Sequence, residues 1–69
     1  MVEVFCTNVN ERLIADMLLG KLSARLPEAS FHFDLEDCDR ILRVECHSDC
    51  TAGVVEELNA HGYHCALLS

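Results

Sequence analysis

The chain has 69 residues, a net charge of −7 and 51% apolar residues. That length allows one domain with a small core, and the acidity argues against nucleic acid, where Lys and Arg must displace counterions from phosphates, and against an anionic membrane surface. No apolar run approaches the roughly 20 residues of a membrane helix, and Met1-Val2-Glu3-Val4-Phe5 does not read as a signal peptide, so a soluble cytoplasmic protein is expected.

Val2 to Thr7 alternates with a period of two and predicts a strand. Val2, Val4 and Cys6 form the uniformly apolar side, so they are expected inward, with Glu3, Phe5 and Thr7 outward. Asn8 and Glu11 read as a reciprocal cap at a helix start. The stripe Ala15, Leu18, Leu19, Leu22 and Leu26 then predicts an amphipathic helix that Pro27 stops.

Ser30 to Leu35 is a second strand, with Phe31, Phe33 and Leu35 inward. Glu36-Asp37-Cys38-Asp39 is its turn. Arg40 to Cys46 returns with Leu42, Val44 and Cys46 inward, which makes a hairpin. Ser48 or Asp49 caps a second helix with the stripe Thr51, Val54, Val55 and Leu58, and Gly62 closes it in a left-handed conformation. Tyr63 to Leu68 is the last strand, with Tyr63, Cys65 and Leu67 inward.

The order βαββαβ with right-handed crossovers predicts an α+β, ferredoxin-like domain over residues 1–69. Its sheet is antiparallel in the order 4-1-3-2, with both helices on one face.

Two segments add a family resemblance. Phe33-Asp34-Leu35-Glu36-Asp37 running into Ile41-Leu42-Arg43-Val44 is one. Glu57-Leu58-Asn59-Ala60-His61-Gly62-Tyr63 is the other. Together they resemble the heavy-metal-associated domain of copper chaperones and metal-pumping ATPases, and small bacterial proteins of the same size and fold. That family holds Cu(I) or Zn(II) with Cys-x-x-Cys in the loop after the first strand. Here the loop is Thr7-Asn8-Val9-Asn10-Glu11-Arg12, without a cysteine. The resemblance therefore implies the fold and carries over no ligand.

Five cysteines in a reducing cytosol are expected as free thiols, and core packing is the plain reading of each. Three sharper readings stand beside it. Cys6, Cys38 and His61 fall at one pole of the fold and would suit a tetrahedral Cu(I) or Zn(II) site. Cys46-His47-Ser48-Asp49-Cys50 places Cys50 near a helix N-terminus, where the dipole favours a thiolate, so Cys50 is the candidate reactive thiol. Cys65 is expected buried beside Cys6, where oxidation could link them.

The outer sheet face is expected to carry Phe5, Ile41 and Leu68 as a contact surface for a protein partner or a second copy. Glycine-rich phosphate loops, Gly-x-Ser-x-Gly and a nucleophile-base pair are absent from the sequence, so no enzyme is expected. The expected function is a small non-catalytic binding module, with a homodimeric regulatory domain and a thiol-based redox-responsive protein as alternatives.

Overall fold

The computed structural model describes residues 1–36 and 40–68. In chain order the elements are β1 (Val2–Thr7), α1 (Arg12–Arg25), β2 (Ser30–Asp34), β3 (Ile41–Glu45), α2 (Thr51–Ala60) and β4 (Cys65–Leu67). The strands pair antiparallel in the order β2-β3-β1-β4. This is the expected ferredoxin-like order, read from the other edge.

Registers fix which side chains share a face, because directly paired residues point the same way. Phe5 pairs with Leu42, which pairs with Phe33, and Glu3 pairs with Val44. Phe5, Phe33, Leu42 and Val44 are all buried with Ala15, Leu18 and Leu22 of α1 and Val54 and Leu58 of α2. Both helices therefore cover this face. The open face carries Val2, Val4 and Cys6 of β1 beside Ile41, Arg43 and Glu45 of β3.

The expected face of β1 is thus reversed. Phe5 has no exposed surface and lies at the centre of the core, while Val2 is 56% exposed. The open-face contact surface loses Phe5 for this reason. Ile41 stays on that face, and Leu68, just past β4, is half exposed and donates its amide to the Val4 carbonyl at 2.7 Å. A one-residue change of face swaps every side chain of a strand. Here the larger ring goes inside, where it removes the most apolar area from water.

The start of α1 also differs from expectation. Glu11, not Asn8, stands at the N-cap, and its side chain makes no capping bond. Asn8 Oδ1 instead accepts the His64 amide at 2.8 Å, tying the first loop to the approach of β4. Thr7 Oγ1 donates to the Arg40 carbonyl at 2.7 Å and accepts the Val9 amide at 3.2 Å. This turn carries Val9 into the core, with no exposed surface.

The end of α2 follows expectation. Gly62 has φ +85°, a conformation that costs a residue with a Cβ. Its amide bonds the Asn59 carbonyl, and the Tyr63 amide bonds the Leu58 carbonyl. That pair of bonds is a Schellman motif, and it satisfies carbonyls the helix leaves open. Tyr63 then packs against the core.

Arg25 near the end of α1 reaches Glu56 at 2.6 Å and Glu57 at 3.4 Å on α2. These pairs are solvent-accessible and contribute at most about 1 kcal/mol each. The apolar layer between helices and sheet holds the fold.

Candidate functional site

The most chemically loaded part of the structure is the joint between β3 and α2. Alternation along β3 sends Leu42 and Val44 inward, and Cys46 continues the pattern just past the strand. Its amide pairs with the Met1 carbonyl at 3.0 Å, which extends the β1–β3 ladder. The chain then turns through His47, Ser48 and Asp49. Asp49 Oδ1 accepts the Thr51 amide at 2.9 Å, satisfying one of the free donors at the start of α2. Cys50 occupies the N-cap position of that helix.

The turn folds Cys50 back onto Cys46. Their Sγ atoms lie 2.8 Å apart, and both residues are buried, at 7% and 8% exposure. Cys46 Sγ also donates to the Ser48 carbonyl at 2.6 Å. That contact uses the Cys46 proton, so the Cys50 proton is left for Cys46 Sγ or Glu3.

Glu3 comes from β1 and is itself only 7% exposed. Its Oε1 lies 3.9 Å from Cys50 Sγ, and its Oε2 accepts Thr51 Oγ1 at 2.5 Å. The reversed face of β1 is what brings this carboxylate inside. A cleft of about 200 Å³ opens beside the pair, lined by Met1, Glu28, Ser30, Glu45, Cys46 and His47. Cys46 lines the cleft and Cys50 does not.

Burial pushes the Cys50 thiol up to about 12, with Cys46, Glu3 and Asp49 adding in the same direction. The helix N-terminus does not make it acidic, because burial of the thiol outweighs the partial positive charge of the helix. The acidifying effect expected of the helix dipole on Cys50 is thus outweighed. Cys50 is a guarded thiol held against a second one.

Cys65 is also pushed up, to about 11, first by burial and then by Cys6. A thiol whose folded pKa exceeds its unfolded value keeps its proton in the fold and releases it on unfolding. Stability is then fully present below about pH 9 and falls as pH rises toward the folded values of Cys65 and Cys50. Reduced protein should lose on the order of 2 kcal/mol for each of these thiols between pH 9 and 11, measured by urea unfolding at each pH. Cys65→Ala should lose less over the same interval; an identical slope would remove the Cys65 contribution.

Cys38 lies outside the described residues. Cys6 is on the open sheet face, paired with Ile41 and Ala66. His61 Nε2 is engaged by Glu57 Oε2 at 3.0 Å, one turn back on α2. Among the described residues, no three His, Cys, Asp or Glu side chains are disposed to hold a metal ion. Cys65 faces the helices beside Thr7, whereas Cys6 faces away, so their Cβ directions oppose a disulfide.

Sequence alone does not point to Glu3, which sits on the strand side expected to face solvent. Alternation places Cys46 in the core, and the readable signal is its spacing to Cys50 across the turn residues Ser48 and Asp49. Among the described residues, no helix is long and apolar enough to cross a membrane. No family model, curated protein or solved structure matches the chain.

Proposed function

We propose that this chain is a small thiol–disulfide switch, in which Cys46 and Cys50 pass between a dithiol and an intramolecular disulfide. The observation that carries the reading is the 2.8 Å separation of two buried Sγ atoms in a five-residue span. Disulfide formation needs little more than loss of two protons and two electrons at that distance. A low-molecular-weight disulfide supplies the oxidant: it is reduced to two thiols as Cys46 and Cys50 become one disulfide.

The span between the sulfurs is where a switch would act on structure. It connects β3 to α2, and its Cys50 end also touches Glu3 on β1. Closing or opening it bears on the start of α2 and on the central strands. The heavy-metal-associated resemblance, which rests on sequence pattern, would put paired thiols before the first helix. This chain has its pair at the corresponding joint of the second βαβ half.

Reduced protein exposed to 2-hydroxyethyl disulfide and then washed should lose about 2 Da. Peptide mapping should find the link between Cys46 and Cys50, and dithiothreitol should reverse it. A stable link through Cys6 or Cys65 instead, or no intramolecular link at all, would overturn the reading.

A further inference from the structure

The two thiols of the pair are not equivalent. Cys46 borders the cleft that also touches Glu28, Ser30, Glu45 and His47, so an incoming disulfide meets it first. Cys50 is not part of that lining; its Sγ has Cys46 Sγ at 2.8 Å and Glu3 Oε1 at 3.9 Å. Glu3 is anchored from its second oxygen by the Thr51 hydroxyl. Its carboxylate thus faces the Thr51 hydroxyl, the Cys50 thiol and the Asp49 carboxyl. A buried carboxylate in such company is a poor choice for packing alone. A glutamine would accept the Thr51 bond equally well.

We propose that Cys46 is the entering thiol, Cys50 the resolving thiol, and Glu3 the residue that accepts the Cys50 proton when the disulfide closes. This assignment rests on the switch reading and deepens it. In the first step the Cys46 thiolate attacks one sulfur of R–S–S–R. The S–S bond breaks, one RS⁻ leaves and takes up a proton from solvent, and Cys46–S–S–R forms. In the second step the Cys50 proton passes to Glu3 Oε1, and Cys50 Sγ attacks Cys46 Sγ. The bond from Cys46 to the R group's sulfur breaks, and the second RS⁻ leaves with the proton from Glu3. Two protein thiols are oxidised and one external disulfide is reduced to two thiols.

The groups that titrate around Cys50 are Cys46 after β3, Glu3 from β1 and Asp49 in the preceding turn. Each is negative or neutral, so none of them promotes a Cys50 thiolate by charge. Glu3 and Cys46 are also bonded to it directly. A base in contact with the thiol replaces the need for a free thiolate.

The test uses full-length protein and 2-hydroxyethyl disulfide, a neutral probe, followed by rapid acid quench and mass spectrometry. Cys50→Ser should accumulate the mixed disulfide on Cys46 at the wild-type rate of the first step. Cys46→Ser should form an adduct on Cys50 at least about tenfold more slowly. Glu3→Gln should leave the first step unchanged and slow closure about 100-fold, so the Cys46 adduct accumulates. Closure in wild type should be nearly level from about pH 7 to 9, whereas in Glu3→Gln it should rise about tenfold per pH unit, following the thiolate fraction. A purely structural role would not change that slope.

Closure in Glu3→Gln with the wild-type rate and slope would remove the role of Glu3. Faster adduct formation on Cys50 than on Cys46 would reverse the order of the thiols. Should Glu3→Gln not fold, Glu3→Asp carries the test. It keeps the carboxylate but withdraws it by one methylene, so closure should slow while staying nearly level with pH; closure as fast as wild type would overturn the proposal. Absence of any Cys46–Cys50 link in wild type would overturn the switch reading itself, a distinct result.

Discussion

Phe5→Ala should destabilise the domain by about 3–5 kcal/mol and leave much of it unfolded at 25 °C. Phe5 has no exposed surface, and its neighbours in the sheet are Leu42 on β3 and Leu67 on β4. Removing the ring takes away its burial and opens a cavity under both helices. A chain this short has a total stability of roughly 3–10 kcal/mol at the usual value per residue. One such cavity consumes most of it. Urea unfolding followed by far-ultraviolet circular dichroism measures the loss. Val4→Ala, one residue away on the open face, is the control and should lose less than about 1.5 kcal/mol. A milder effect at Phe5 than at Val4 would put Phe5 back on the open face. By the same geometry a charge at this position, as in Phe5→Glu, should unfold the chain.

Oxidation of the Cys46–Cys50 pair should raise stability by roughly 2 kcal/mol, the loop-closure effect of so short a span. For a domain of this size that corresponds to a rise in Tm on the order of 10 °C. The sulfurs already lie in contact, so closure asks for little movement of the backbone. Oxidation also removes the Cys50 thiol whose release on unfolding weakens the fold at high pH. The oxidised protein should therefore show a shallower alkaline decline than the reduced one. Paired melts of reduced and oxidised protein at pH 7 and pH 10 measure both effects. A lower Tm for the oxidised form would mean that closure strains the β3–α2 joint, and would count against a preformed pair.

Much of the fold is legible because its signals are local. The α1 stripe of Ala15, Leu18 and Leu22 is one face of a helix in any context. Gly62 announces its left-handed cap by having no Cβ. The hairpin of β2 and β3 carries Phe33, Leu42 and Val44 on one side with few competing apolars on the other. Right-handed crossovers then leave little choice of strand order.

The candidate site was only partly legible, and for one reason. Cys46, Asp49 and Cys50 are close in sequence, so their spacing can be read directly. Glu3 belongs to the site only through β1, which is distant in the chain and whose local pattern points to the opposite face. The acidity of Cys50 is likewise not a local property. A helix N-terminus lowers a thiol pKa when the thiol is otherwise free, but here burial and the approach of Glu3 and Cys46 prevail.

The amino-acid sequence by itself determined the element order, the helix faces, the cap at Gly62 and the ferredoxin-like strand order. Tertiary structure alone decided which side of β1 is covered. A period of two says which residues share a face but not which face meets the helices. In β1 both sides carry apolar groups, and by number the local pattern favours Val2, Val4 and Cys6 over Phe5. Packing under α1 and α2 overrides that preference in favour of the large ring. The same choice draws Glu3 inside against Cys50, and so completes the site.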